Sequence, residues 1–341
     1  MKLWSKLLSF AFVTVVLVGG GAVAYVLHWQ QAPVELDEPM VVMVERGEPF
    51  IRFADRLADL GVIDHPRLWS VLARLSGDAH RVKAGEYQLR PGDSPDSLLA
   101  RLVAGDVVTY QARIIEGWTA MEAVAALAAD PVLERRLDGV TVRTLLEVLG
   151  LPGGHAEGLF FPDTYRFVRG DSDADILRRA YARMQNVLQQ AWSNRAEGLP
   201  YETPYDALIV ASLIEKETGR EAERPLVSQV FVLRLNLGMR LQTDPTVIYG
   251  LGDAFGGTLR RSDLREHTPY NTYRNHGLPP TPIALPGAGS IEAALHPADG
   301  DYVYFVSRGD GSSKFSVTLE EHNEAVYRYL RSGRSSTDSS R

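Results

Sequence analysis

The sequence predicts an α+β protein: a transmembrane helix at the N-terminus, a small α+β subdomain after it, and a mixed α/β domain that carries the chemistry. Three observations predict this. Leu7 to Leu27 is an uncharged, mostly apolar run. Between residues 41 and 128, a short apolar strand, a Gly-containing turn and an amphipathic helix recur three times. From Thr203 onward, helical and extended patterns alternate with distinct start and stop signals. A chain of 341 residues suits two or three folded units.

The apolar run comes first. As a helix it spans roughly 31 Å at about 1.5 Å per residue, one bilayer core. Lys2 and Lys6 precede it, and no acidic residue appears before Glu35. Positive charge stays cytoplasmic, so the remainder is expected across the inner membrane, in a bacterial periplasm. His28 and Trp29 suit the far interface. A cleaved signal peptide is the competing reading, because Ala22-Val23-Ala24 fits a small-x-small cleavage site. Tyr25-Val26-Leu27 carries the run past that site and favours an anchor. Residues 1–29 are therefore assigned to the anchor and 30–41 to a Pro- and Glu-containing linker.

Residues 42–108 form the subdomain. Its strands are expected at Val41–Glu45 and Glu86–Leu89, and its helices at Phe50–Leu60, Leu68–Leu75 and Ser97–Val103. Residues 109–200 connect it to the larger domain. A third strand–turn–helix unit opens this region, with Ala112–Ile115 extended and Ala120–Ala128 helical. Residues 130–200 read as mainly helical, interrupted by the aromatic segment Glu157–Tyr165. Asp171, Asp173 and Asp175 have a calcium-loop look, but Ile176 and Ala182 occupy positions where such a loop needs Gly and Glu. They read better as acids at the start of a helix over Ile176–Ala191, matching its dipole.

Residues 201–331 are the densest stretch. Thr203-Pro204 starts a helix that runs to about Thr218, with Gly219 suited to its C-terminal cap. A second helix is expected over Arg224–Leu237, stopped by Gly238. Leu241–Gly250 reads as extended, and Thr268 to Gly289 as a Pro/Gly-rich loop. Tyr302–Ser307 and Lys314–Val317 suit a hairpin around Gly309-Asp310-Gly311, with Arg308-Gly309-Asp310 as part of its turn. Thr318 and Glu321 form a capping box for a last helix. Ser332–Arg341 reads as a disordered polar tail.

Composition excludes several functions. With 36 Lys and Arg against 43 Asp and Glu, the net charge is -7. That sign argues against nucleic acid as a partner. Without Lys2 and Lys6 the remainder has 34 basic and 43 acidic residues, a net charge of -9. There is no cysteine, which excludes disulfides, thiolate metal sites, a cysteine nucleophile and lipidation through cysteine. The eight histidines are scattered. H-E-x-x-H, G-x-S-x-G and P-loop patterns are missing, and Gly250-Leu251-Gly252 is spaced wrongly for a dinucleotide site.

Carboxylates remain. Glu217 lies three, four and seven residues beyond Ile214, Leu213 and Val210, on the apolar stripe of its helix. It also falls in the last turn, where the dipole disfavours negative charge. Both effects raise a carboxyl pKa, which is how such a group stays protonated long enough to act as a general acid. Glu215 lies about 200° round the helix, so the two cannot face each other as a dyad. An exposed, Glu/Lys-rich helix end is the alternative reading of the same pattern.

Longer motifs favour the functional reading. ASLIEKETGR, ERPLVSQVF, RLQTDPTVIYG and YNTYRNHGLPPTPIALPG, with EGLFFPDTY and HPADGDYVYFV, closely resemble the MltG (YceG-like) family of endolytic murein transglycosylases. The resemblance covers nearly all of the chain beyond the anchor. Residues 42–108 look more loosely like a LysM-type carbohydrate-binding module. One departure is visible: Leu233 precedes Arg234-Leu235 where the family usually carries Asn.

The resemblance implies a membrane-anchored enzyme that cuts nascent peptidoglycan strands internally and ends their elongation. It places catalysis on Glu217, the second acid of the EKET motif, in the domain over 201–331. Glu217 would protonate the glycosidic oxygen between MurNAc and GlcNAc. The resulting carboxylate would take the proton of the MurNAc C6 hydroxyl as that hydroxyl attacks its own anomeric carbon, leaving a 1,6-anhydroMurNAc end. The substrate's N-acetyl group can supply the stabilisation that a second carboxylate gives in hydrolytic glycosidases. No metal or cofactor is called for, and the implied partners are glycan strands, the inner membrane and peptidoglycan synthases. A non-catalytic, membrane-anchored peptidoglycan-binding scaffold is the rival from another class. Further substrate contacts are expected from Gln242, Thr243, Asp244, Asn271 and Tyr273, with Tyr249, Phe161 and Tyr165 suited to stacking on sugar faces. Asp244 is the best candidate for a second functional carboxylate.

Overall fold

The structure, a computed structural model, describes residues 2–331. The expected polar tail over 332–341 lies outside the described residues. The described residues divide into two compact units: 2–110 with 167–169, and 111–166 with 170–331.

The first unit begins with helix α1, Lys2–Gln31. Its stretch Lys6–Gln31 is long and apolar enough to cross a membrane, and its apolar core is not buried against the chain. The helix runs two residues beyond the expected end of the anchor. Trp29 is buried in the core of this unit, and Val34 and Leu36 pack against the same core. The Val34 amide donates to Asp93 O at 2.7 Å.

Strand β1 (Met40–Val44) pairs antiparallel with β2 (Gly85–Leu89), with Val42 opposite Tyr87. Between them lie α2 (Phe50–Asp59) and α3 (Pro66–Leu75), and α4 (Pro95–Ala104) follows. Phe50, Phe53, Leu57, Trp69, Tyr87 and Leu98 form the core. The two polar atoms carried into it by large aromatics are satisfied. Trp69 Nε1 donates to Pro95 O at 3.1 Å and the Tyr87 hydroxyl to Lys83 O at 2.8 Å.

Strand β3 (Tyr110–Arg113) pairs with β4 (Thr164–Phe167), and all of both strands but Tyr110 and Phe167 lies in the second unit. Helix α5 (Ala120–Ala128) starts at a capping box of Thr119 and Glu122. Residues 130–200 depart from the mainly helical expectation. Only α6 (Leu145–Leu149) and α7 (Asp173–Ser193) are α-helical there, and β4 cuts through the region. Gly139, Gly150, Gly153 and Gly158 all take positive φ, so turns replace the helix that the apolar spacing resembles. The acids of the calcium-like cluster serve the helix start: Asp175 completes a capping box with Ser172, and Asp173 accepts the Arg136 amide at 2.9 Å.

Helix α8 (Pro204–Glu217) is the centre of this unit. Ala207 to Ile214 are all buried, the pattern of a helix surrounded by protein. Its end differs from expectation. Thr218 leaves the helix extended, at φ -143° and ψ 131°, so Gly219 is not a left-handed cap. Helix α9 (Arg224–Asn236) stops at Gly238, which has φ 64°. Leu241–Gly250 is not extended: α10 runs from Asp244 to Leu251. Asp244-Pro245 therefore opens a helix, where a proline costs no hydrogen bond. A further helix at the end of the Pro/Gly-rich region, α11 (Ala288–Leu295), packs on α8. The chain then forms the hairpin of β5 (Tyr304–Ser307) and β6 (Ser313–Ser316), with Val306 opposite Lys314. Helix α12 (Leu319–Val326) follows the Thr318–Glu321 capping box.

Candidate active site

Glu217 is the last residue of α8, where the buried face of the helix meets the surface. It is half-buried and lines a cleft of about 590 Å³. Burial is the main cause that pushes its pKa up to about 7. The charge of Asp244 adds to the rise, while a hydrogen bond from Thr243 and the charge of Arg234 oppose it. Glu215 turns away, accepting the Gly287 amide at 3.0 Å and standing 3.6 Å from Arg224. The two acids serve different faces, as their spacing requires.

The Thr243 hydroxyl donates to Glu217 Oε1. Thr243 is held by a buried threonine cluster: its amide donates to Thr272 Oγ1 at 3.0 Å, and Thr246 Oγ1 donates to its carbonyl at 2.7 Å. Before it, Gln242 has φ 53°, the one non-glycine at positive φ among the described residues. A side chain in that region carries strain, and such outliers gather at functional sites. Asp244 opens α10 and accepts the Tyr273 hydroxyl at 2.5 Å. Burial and Asp244 push the Tyr273 phenol up, so it remains a donor.

Gln242, Asp244 and Tyr273 thus line one cleft with Glu217, and Thr243 touches Glu217 from beneath. The other expected contacts are elsewhere. Asn271 is fully buried and ties its own loop, donating to Glu266 O at 2.6 Å and accepting the Tyr273 amide. Its polar groups are used for loop structure. Tyr249 donates to Glu157 Oε2 at 3.1 Å and packs edge-on against Tyr270. Phe161 and Tyr165 are core residues; Phe161 lies under Arg183, and the Tyr165 hydroxyl donates to Phe161 O.

Three residues not singled out from sequence complete the cleft. Arg234 stands in it, 7% exposed, donating from Nε to Val303 O at 2.7 Å and from Nη1 to Leu241 O at 2.6 Å. Tyr304 lies beneath its guanidinium, and His322 of α12 stacks on Tyr304. The signal for Arg234 was present: Val227, Val230 and Phe231 precede it by seven, four and three residues, the spacing that marked Glu217.

Glu157 is an acid that was not singled out from sequence. It is 1% exposed, accepts the Ala120 amide at 2.8 Å as well as Tyr249, and burial pushes its pKa up to about 7. Among the described residues, no group of three His, Asp or Glu side chains is placed to hold a metal ion.

Chemically, the cleft offers one carboxyl that is protonated near neutrality, a second carboxylate beside it, and a buried cation. That set suits proton transfer to and from a substrate oxygen.

Known proteins share this chain's sequence and shape. The model of the YceG-like family matches residues 42–328. A protein of Bacillus subtilis (strain 168) named endolytic murein transglycosylase is 32% identical, over 93% of this chain and 92% of its own. One of the same name from Streptococcus pneumoniae serotype 2 (strain D39) is 26% identical, over 95% of this chain and 65% of its own. The crystal structure of a putative yceG-like protein from Listeria monocytogenes matches with a TM-score of 0.53 at 30% identity, covering 84% of this chain and 99% of that one.

Proposed function

The chain belongs to the YceG-like family, and from that premise we propose how it acts on murein as a lytic transglycosylase. The reaction is cleavage of the MurNAc–GlcNAc β-1,4 bond within nascent glycan strands, leaving 1,6-anhydroMurNAc ends and terminating elongation. Glu217 is the single acid–base group. Protonated, it gives its proton to the glycosidic oxygen as the bond to the MurNAc anomeric carbon breaks. As a carboxylate it then accepts the C6 hydroxyl proton while that oxygen closes on the anomeric carbon. Proton and bond are both accounted for, and no water is consumed.

The observation that carries this reading is the state of Glu217: a carboxyl with a pKa of about 7 opening into a cleft. A general acid works best when its pKa lies near the operating pH. Gln242, Asp244 and Tyr273 are the proposed substrate contacts, with Thr243 positioning Glu217. Asn271 ties its own loop, and Tyr249, on α10, donates to Glu157.

The remaining assignments rest on the sequence patterns. Residues 1–29 anchor the chain as a single pass in the inner membrane, with the body in the periplasm. Residues 42–108 act as a LysM-like glycan-binding unit, residues 109–200 connect it to the catalytic domain over 201–331, and peptidoglycan synthases are the expected partners.

One observation favours a second reading. Asp244 shares the cleft, and two carboxyl groups are the equipment of a hydrolase. Mass spectrometry of products from purified glycan strands decides. Anhydro ends, lost in Glu217→Gln, support the lyase; reducing MurNAc ends identify a muramidase. A folded wild-type protein that binds strands without cutting them is a scaffold.

A further inference from the structure

A buried cation without an acid is the least explained feature of the cleft. Arg234 is 7% exposed and is gripped by the carbonyls of Val303 and Leu241. Those carbonyls satisfy N–H groups but do not neutralise the charge. No carboxylate stands within ion-pair distance of it among the described residues, and burial pushes its pKa down. An unpaired buried charge is costly, so its retention calls for a partner that appears only at some stage. Glu217 opens on the same cleft, and each group feels the other's field.

We propose that Arg234 is a positioning residue that acts through Glu217, its fixed charge stabilising the carboxylate left when Glu217 has given up its proton. This rests on the proposed role of Glu217 as the sole acid–base group. Such a group faces two opposed demands. It must hold a proton before cleavage, which burial and Asp244 favour. It must then exist as an anion, in the same low-dielectric site, until the C6 hydroxyl returns a proton. A cation already in place, held by backbone carbonyls rather than by another acid, meets the second demand without reorganisation. Tying Arg234 to a permanent carboxylate would cancel that field. The other titratable groups on this cleft are Asp244, Tyr273, Tyr304 and His322, and burial lowers the pKa of His322, favouring its neutral form.

The test reads the Glu217 carboxyl directly. In protein labelled with carbon-13 glutamate, the Glu217 signal is assigned by its loss in Glu217→Gln and titrated in the wild type, Arg234→Met and Arg234→Lys. The Glu217 midpoint should rise by about one pH unit in Arg234→Met, a tenfold change in the proton equilibrium, and return towards wild type in Arg234→Lys. Turnover should fall in Arg234→Met, with the limb above neutrality moved to higher pH and KM little changed. An unmoved midpoint in folded Arg234→Met overturns the proposal, as does a Lys variant that behaves like Met. A change in KM alone, with the midpoint unmoved, would instead make Arg234 a site for a substrate anion. If Arg234→Met does not fold, Arg234→Gln removes the same charge while keeping a donor for Leu241 O. Cleavage that survives in Glu217→Gln would defeat the functional reading, whereas the titration stands apart from turnover.

Discussion

Glu217 and Glu157 are two carboxyls in one folded unit, and burial pushes both to a pKa of about 7. Their surroundings differ. Glu157 is 1% exposed and spends its oxygens on the Ala120 amide and the Tyr249 hydroxyl, joining the start of α5 to α10. Glu217 is half-buried, opens on a cleft and shares it with Asp244 and Arg234. A shifted pKa therefore does not by itself mark a catalytic group. Access to a reacting atom, and nearby charges that can respond to proton transfer, separate the two.

The strongest way to break this contrast is Glu217→Gln. Removing a general acid–base group should lower turnover by about 10²- to 10⁴-fold. The substitution keeps the shape and removes a carboxyl whose ionisation is disfavoured, so melting at pH 8 should be unchanged or raised. Anhydro-end release and thermal melting, measured on one preparation, check both. Turnover within tenfold of wild type would remove Glu217 from the chemistry. In the wild type, activity should fall as pH rises through about 7, because the acid must start protonated.

Glu157 should show the opposite profile. Glu157→Ala leaves a buried amide and a partly buried hydroxyl without their acceptor, at a cost of about 2–4 kcal/mol. Glu157→Gln should leave turnover within about fivefold and change the pH dependence of stability. Its folded pKa lies above its unfolded value, so the native state binds more protons. That contribution is complete below about pH 4.5 and is lost as pH rises through about 7, on the order of 3 kcal/mol. Glu217 adds a loss of the same sign. Urea unfolding at pH 5 and pH 8 should show wild type weaker at pH 8, with a smaller difference in Glu157→Gln. An equal difference in both would mean that Glu157 is ionised throughout.

A smaller effect separates the open site from the closed one through Asp244. Tyr273→Phe removes the hydroxyl that donates to Asp244. Freed from that bond, Asp244 should position substrate less well, with turnover falling about three- to tenfold, the equivalent of one modest hydrogen bond. Steady-state kinetics beside Tyr249→Phe provides the control. Tyr249 has its hydroxyl on Glu157, so its loss should register in stability more than in turnover.

These same residues explain how far the sequence alone could be read. The half-buried place of Glu217 at the end of its helix was legible because helical spacing and a last-turn position both act on the one residue, while its proposed role came from the resemblance. Arg234 was equally legible by its spacing, but its helix was read for its boundaries and for the departure at Leu233, not for its buried face. Helix α10 was hidden because Asp244-Pro245 suits a turn as well as a helix start, and eight residues give too little periodicity to decide. On either reading Tyr249 and Asp244 part: five residues is about 140° round a helix and the opposite face of a strand, so the two do not face the same cleft. Helix α11 comes directly after Pro286 and Gly287, and its first two residues fall in the stretch read as loop; its packing on α8 is a contact that local sequence does not report. The place of Asn271 was hidden for a related reason. A polar side chain in a Pro-rich loop has the same appearance whether it binds a sugar or three carbonyls of its own loop.

The smallest expected effect concerns strain, which is present beside Glu217 at Gln242. At φ 53° a side chain costs about 1–2 kcal/mol relative to ordinary helical backbone. Glycine relieves that cost but adds freedom to the unfolded chain, so Gln242→Gly should be neutral or stabilising by at most about 0.5 kcal/mol. Gln242→Val, with a branched Cβ at the same φ, should destabilise by at least about 1 kcal/mol. Both lose the amide that lines the cleft, so both should raise KM a few-fold with kcat largely kept. Melting and kinetics on the pair therefore separate backbone from side chain. If the glycine variant retains the wild-type KM, Gln242 serves only to turn the chain into α10, and the strain at the open carboxyl has no part in holding substrate.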